Sequence, residues 1–210
     1  MNTKDFLDTV CKRALSTRAT IQASYDIARA VLAAGTPGDF VECGVYAGAN
    51  AAAMARAIYD MGDLHFAKAT PTGISINKPR VHLFDSFEGI PQAGPEDQEY
   101  LEAGHKAGLS ACSLAQVKAN MREWQIPDEL LVWHPGWFED TVASMMQQPI
   151  ALLRLDGDLY ESTKVCMQHL YPLVTLGGWV ICDDYHLSGA RKAVSEFVIP
   201  GPVYWKKEWA

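Results

Sequence analysis

Positive charge is in short supply: 18 Lys and Arg stand against 25 Asp and Glu, a formal net charge of −7 over 210 residues. Surfaces that bind nucleic-acid phosphates are normally basic, so nucleic acid is excluded as the main partner. Cysteine is sparse and scattered. Cys11, Cys43, Cys112, Cys166 and Cys182 contain no Cys-x-x-Cys pair, which argues against a zinc site or a disulfide frame and for a reducing compartment, the cytoplasm. No apolar run approaches the roughly 20 residues of a membrane span, and no membrane contact is expected. Met1–Leu15 mixes Asp, Lys and Arg among its apolar residues, unlike a signal peptide. The Gly-x-Gly-x-x-Gly of a dinucleotide site and the Gly-x-x-x-x-Gly-Lys-[Ser/Thr] of a phosphate loop are both missing.

What is present is the composition of one soluble domain, 49% hydrophobic and 20% charged. Apolar residues at Phe6, Leu7, Val10, Ala14, Ile21, Tyr25, Ala28 and Leu32 keep helical spacing. They make residues 1–37 an N-terminal helical lid segment, closed by the breaker Gly35-Thr36-Pro37-Gly38. Residues 38–210 then alternate short apolar runs with helical patterns, the pattern of an α/β fold with a mostly parallel sheet and helices on both faces. The expected strands are Phe40–Cys43, Val81–Phe84, Leu130–His134, Ala151–Leu155 and Trp179–Cys182, with one more at Val203–Lys207. Expected helices are Asn50–Met61, Leu114–Trp124, Glu139–Met146, Ser162–Tyr171 and Ala190–Phe197, the second opened by a Ser113/Gln116 capping box. Asp63–Pro79 reads as a polar insertion and Glu88–Ser110 as a long acidic loop. Long loops in a small domain usually serve function.

Ligands of open parallel sheets sit at the carboxyl ends of the strands. Here those ends carry Glu42-Cys43-Gly44, Asp85-Ser86, Pro135-Gly136-Trp137, Asp156-Gly157-Asp158 and Asp183-Asp184. Glu42-x-Gly44-x-x-x-Gly48 is either an ordinary tight turn or a loop for close ligand approach; an acid there would repel a pyrophosphate and suits a cationic or zwitterionic ligand. Asp85 either caps a turn or receives two ribose hydroxyls. Trp137 and Phe138 offer an aromatic surface to a flat ring or pack in the core. Asp156, Asp158, Asp183 and Asp184 would repel one another if left unpaired. One cation, Arg154, lies nearby in sequence, and alternation along the strand does not by itself aim it at the cluster. A hard divalent cation, Mg²⁺ or else Mn²⁺ or Ca²⁺, is the economical resolution for oxygen-only ligands. His186, Tyr160 and Tyr185 flank the cluster, as loop and packing residues or as parts of an acceptor pocket.

Five strings together resemble the macrocin O-methyltransferase family: Phe40-Val41-Glu42-Cys43-Gly44-Val45, Phe84 to Pro91, Pro135 to Thr141, Leu155 to Thr163, and Asp183-Asp184-Tyr185. The resemblance implies a Rossmann-like fold and methyl transfer from S-adenosylmethionine to a hydroxyl of an antibiotic sugar, with magnesium (or manganese) as metal. It implies Asp156, Asp183 and Asp184 as metal ligands and Asp158 as general base. Glu42 and Gly44 would meet the methionine part of the cofactor, Asp85 the ribose and Trp137 the adenine. Val45, Tyr46, Ser86, Gly136, Phe138 and Asp156 would complete the cofactor site. The implied partner is a small-molecule acceptor, a sugar or diol, with a homo-oligomer left open. Competing readings are an O-methyltransferase of catechol-like or other small diols, a metal-dependent hydrolase, and a non-catalytic nucleoside-binding module.

Overall fold

The computed structural model describes residues 1–62, 78–145 and 147–197. Two helices open the chain, α1 (Thr3–Cys11) and α2 (Arg18–Ala34). The helical spacing is expected to continue past Ala14, yet α1 ends at Cys11 with Lys12 as its C-cap. Asn2 caps α1 by accepting the Asp5 N–H at 2.9 Å, and the Thr17 hydroxyl accepts the Thr20 N–H at 3.1 Å, starting α2 afresh. Gly35, in the left-handed conformation, ends it.

The sheet is built from β1 (Asp39–Cys43), β2 (Val81–Asp85), β3 (Leu131–Pro135), β4 (Ile150–Leu155) and β5 (Val174–Cys182). All pairings are parallel, in the order β3-β2-β1-β4-β5. Between them lie α3 (Ala49–Met61), α4 (Gln98–Glu102), α5 (Leu114–Glu123), α6 (Phe138–Thr141), α7 (Tyr160–Leu170) and α8 (Ser188–Ser195). The fold is α/β with a parallel sheet and helices on both faces.

Several boundaries differ from the sequence expectation. The helix expected at Glu139–Met146 is α6 followed by a 3-10 turn, Val142–Met145. β5 begins five residues earlier, and its register against β4 shifts between Ile150 and Leu152, so that Leu176 is 89% exposed. Only half of the capping box forms: Ser113 accepts the Gln116 N–H at 3.3 Å, while the Gln116 amide turns to Asn120. The Glu88–Ser110 loop holds α4. The strand expected at Val203–Lys207 and most of Asp63–Pro79 lie outside the described residues.

Alternation along the strands sorts the core into two layers. Phe40, Leu83, Leu152 and Ile181 face α1, α2, α3 and α5, and Val41, Phe84, Leu153, Leu155 and Val180 face α7 and α8. Phe6, Leu7, Val10 and Ile21 are at most 1% exposed, so the N-terminal helices pack into the first layer. The alanines of α3 let it lie close to α2 and the sheet, and nine of its 13 residues are buried. Among the described residues no helix is long and apolar enough to cross a membrane.

Candidate active site

The chain runs outward from β1 through β2 to β3, then returns to β4 on the other side of β1. The switch point therefore lies between β1 and β4, where an open sheet leaves a crevice. A cavity of about 920 Å³ opens there, lined by the loops after all five strands except the end of β3 itself. Its volume is at the upper end of the range usual for small-molecule sites. Its rim includes Leu15 and Ser16 from the α1–α2 link and Pro91, Asp97 and Tyr100 from the acidic loop.

On the cofactor side, Gly44 leaves β1 with φ +89°, and a Cβ there would collide with the Asp156 carbonyl oxygen. Glycine is thus demanded by the closeness of β1 and β4, whatever it also does for a ligand. Asp85 clips the following loop in place. Its Oδ2 accepts the Val45 N–H at 2.6 Å and the Tyr46 N–H at 3.1 Å, and its Oδ1 accepts the Phe87 N–H at 2.6 Å. Both sequence readings of Asp85 remain compatible with this, since a carboxylate has about four acceptor sites. Val45, Tyr46, Asp85, Ser86, Trp137, Phe138 and Asp156 line the cavity. Glu42 and Gly136 do not. Glu42 is 1% exposed below the floor, and its Oε2 has no hydrogen-bond partner among the described residues.

The acid end follows from period-2 geometry. Arg154 and Asp156 are two apart along β4 and share a face. Arg154 is paired in register with Glu42 on one side and Ile181 on the other, which brings Asp183 to the same face. The guanidinium is fully buried and reaches Asp156 at 2.6 Å, Asp183 at 3.1 Å and Glu42 at 3.2 Å. The structure corrects the sequence reading here: Arg154 does aim at the cluster and neutralises part of it. One cation shared by three carboxylates leaves Glu42 with the longest contact, and burial pushes its carboxyl up to about 8 against the pull of Arg154.

Charge is still in deficit. Burial, followed by repulsion from Asp156 and Asp158, raises Asp184 to about 9. Asp183 is raised by burial against the pull of Arg154. Asp156, Asp183 and Asp184 each offer an oxygen, all within 4.8 Å of one another. An all-carboxylate set this close, with one member held protonated for want of a counter-charge, fits a hard divalent cation.

Asp158 stands apart from that triad. It has φ +58°, an uncommon conformation for a residue other than glycine, held by its N–H donating to Asp184 Oδ2 at 2.9 Å. Its Oδ1 accepts the Tyr100 hydroxyl at 2.5 Å. Burial raises it to about 6, opposed by that hydrogen bond and helped by the negative Asp156 and Asp183.

The acidic loop is fastened over this end. Asp97, 3% exposed, accepts the Tyr160 N–H at 2.7 Å and the Gly94 N–H at 2.9 Å. Glu99 accepts the Ser188 hydroxyl at 2.6 Å, and Lys192 pairs with Glu96 at 2.8 Å. Gly189 sits where any side chain would displace the Asp97 carboxylate. Asp97 and Tyr100 escaped residue-level sequence reading; the length of their loop was the one available signal. Tyr160 packs: its ring lies between Lys164 and Lys192, and its hydroxyl donates to Glu196. Tyr160, Tyr185 and His186 do not line the cavity.

The profile of the macrocin O-methyltransferases (TylF) matches residues 13–200, nearly the whole chain. The chain belongs to the macrocin O-methyltransferase family. It is 37% identical over 171 residues to 8-demethyl-8-(2,3-dimethoxy-alpha-L-rhamnosyl)-tetracenomycin-C 4'-O-methyltransferase of Streptomyces olivaceus, covering 80% of this chain and 60% of the relative. It is 35% identical, with the same coverages, to demethyldecarbamoylnovobiocin O-methyltransferase of Streptomyces niveus. The chain thus spans about 60% of the length of the curated relatives it matches. Among solved structures the O-methyltransferase NovP superposes with a TM-score of 0.70 at 31% identity, covering 88% of this chain and 72% of that one. A calicheamicin methyltransferase shares the fold, with a TM-score of 0.68 at 23% identity over 93% of this chain and 77% of that one.

Proposed function

We propose that this chain transfers the methyl group of S-adenosylmethionine to a hydroxyl of a sugar carried by a natural product, with Mg²⁺ or Mn²⁺ bound at the acid end. One observation carries the reading. A metal-competent triad and a separate carboxylate, Asp158, share a cavity whose opposite wall is a glycine loop clipped by Asp85. A hydrolase needs no second ligand chamber at the ends of β1 and β2, and a nucleoside-binding module leaves Asp158 without a task. The relative named for 4'-O-methylation of a rhamnosyl-bearing tetracenomycin supports the acceptor class.

The bound groups would supply an electrophilic methyl and the Lewis acidity that lowers the pKa of a nearby hydroxyl. The protein supplies the rest. Asp156, Asp183 and Asp184 would hold the ion. Arg154 holds Oδ2 of Asp156 and Oδ1 of Asp183. Val45 and Tyr46, fixed through Asp85, would hold the methionine and ribose parts, Trp137 would lie at the adenine, and Glu42, raised to about 8 by burial, would brace Arg154 below the floor as a largely uncharged partner. Asp158, poised near 6, is ionised at neutral pH and takes the acceptor proton on its carboxylate. Chemistry of this kind then rests on placement of donor against acceptor. The segment 1–37 contributes Leu15 and Ser16 to the mouth and acts there as a lid, next to the catalytic domain that begins at residue 38. Its free cysteines suit a reducing cytoplasm.

A thermal-shift titration tests the reading. S-adenosylhomocysteine and Mg²⁺ should each raise the melting temperature, and together raise it further, because each binds only the native state. No response to S-adenosylhomocysteine, or a larger one to NAD or ATP, would overturn it.

A further inference from the structure

The acidic loop brings to the base a residue that nothing in the proposed reaction has yet used. Tyr100 lies on α4, a helix too short to be stable alone, yet it is fixed from every side. Asp97 anchors the start of the helix to the N–H of Tyr160, and Glu99 and Glu96 tie it to Ser188 and Lys192 on α8. The His105 ring stands edge-on against the Tyr100 ring, centroids 4.8 Å apart at 84°, and its Nε2–H donates to the Pro91 carbonyl at 3.1 Å. The phenol hydroxyl ends 2.5 Å from Asp158 Oδ1. A contact held at both ends by separate anchors is a built one.

We infer that Tyr100 is a positioning residue: its hydroxyl holds Oδ1 of Asp158, so that Oδ2 is the oxygen presented to the acceptor. The inference rests on the proposed role of Asp158 as base. A carboxylate free to rotate presents either oxygen in many directions, whereas one pinned at Oδ1 presents the other along a single line. The φ of +58° at Asp158 and its N–H bond to Asp184 fix the backbone half of the same geometry. Burial and the neighbouring carboxylate keep the phenol protonated, its pKa well above the ordinary tyrosine value, so it stays a donor. Tyr100 also couples the loop to the chemistry: the base is correctly aimed only when residues 97–105 are seated.

Tyr100→Phe removes the hydroxyl and keeps the ring. It is to be measured alone and combined with Asp158→Asn in the full chain, using S-adenosylmethionine, Mg²⁺ and methyl α-L-rhamnopyranoside as the acceptor probe. Loss of a hydrogen bond to a charged group should lower kcat about 10–100-fold. The KM for S-adenosylmethionine and the calorimetric affinity for Mg²⁺ should stay within about twofold, because neither site touches Tyr100. In the Asp158→Asn background the same change should cost less than about threefold, the non-additivity expected when one residue acts through another. Without any ligand, amide exchange across residues 98–105 should rise about tenfold in Tyr100→Phe. An unchanged kcat, an equal loss in both backgrounds, or unchanged exchange would overturn the assignment. Wild-type protein that binds no S-adenosylhomocysteine would overturn the methyltransferase reading instead. Should wild type leave the probe unmethylated, the exchange measurement decides the Tyr100 assignment by itself.

Discussion

Two clusters of polar groups, each with a buried centre and a more exposed edge, lie on this sheet, and they are built on opposite plans. Across β1, β2 and β3 runs a chain of partners. His82 Nε2 meets Asp39 at 2.9 Å, His82 Nδ1 meets His134 Nε2 at 2.9 Å, and His134 Nδ1 meets the Ser144 hydroxyl at 3.1 Å. Phe84 stacks on the last ring at 4.0 Å. Every ring nitrogen is answered. At the ends of β1, β4 and β5 the reverse holds: carboxylates of one sign crowd a single guanidinium, and Glu42 Oε2 and Arg154 Nε have no hydrogen-bond partner among the described residues. A satisfied network stabilises a fold, and one left short of charge is the kind retained for a ligand that completes it. The chemistry proposed above belongs to the incomplete cluster.

Five tests would break or sharpen that contrast. The largest effect is expected from Asp158→Asn, which should lower kcat roughly 10²–10⁴-fold with cofactor and metal affinity nearly intact. His82→Ala, in the complete cluster, should leave kcat within about threefold while costing on the order of 1–3 kcal/mol of stability, since it strands Asp39 and His134. Single-turnover methyl transfer and denaturant titration on both variants read the difference. Equal losses of turnover would erase the distinction.

Next comes Asp184→Asn, which should weaken Mg²⁺ binding more than about tenfold by calorimetry, as a neutral amide replaces an anionic ligand. The ion-free variant should nevertheless be more stable than wild type at pH 8, by roughly 1–3 kcal/mol, because it is spared the cost of holding a carboxyl protonated. A variant that is less stable without metal would show that Asp184 is structural.

The pH dependence of ion-free stability separates the clusters without mutation. Asp184 is raised from 3.8 to about 9 and Asp158 from 3.8 to about 6, so the native state holds more protons than the unfolded chain in those intervals. Their contribution to stability therefore falls as pH rises from about 4 towards 9. His134 is lowered from 6.5 to about 4 by burial and by His82. There the unfolded chain holds more protons, and stability is gained as pH rises through that interval. The two oppose each other below pH 6.5, and only the acid end acts above it. Melting temperature in EDTA should therefore decline from about pH 7 to 9, and Mg²⁺ should remove the decline with release of protons. A flat profile in EDTA would remove the charge deficit from the account. The smallest effect is reserved for the exposed end of the histidine chain: Ser144→Ala should cost about 0.5–1 kcal/mol and leave both turnover and metal binding unchanged.

Much of this was legible before the structure. Near-uncharged apolar runs ending in acids placed five strands within a residue or two, apart from the early start of β5, and placed Asp156, Asp158, Asp183 and Asp184 at one sheet end. Arg154 was misjudged although the signal was present. Residues two apart on a strand share a face, so Arg154 had to lie beside Asp156. The break between Cys11 and Arg18 is hidden because helical spacing is blind to a cap competing from Thr17. Glu139–Met146 was read as one helix because periodicity does not distinguish an α-turn from the tighter 3-10 turn that follows it.

The sequence by itself determined the class of fold, the sheet end at which the acids gather and the excess of negative charge there. These are local properties, set by side-chain periodicity and by which residue follows each strand. The tertiary structure alone decided which acids share Arg154, that Glu42 lies under the cavity floor, and that Tyr100 reaches a carboxylate 58 residues away. Those depend on strand order and on the folding-over of the acidic loop. No local pattern encodes the distance between segments that meet only once the sheet has closed the gap between them.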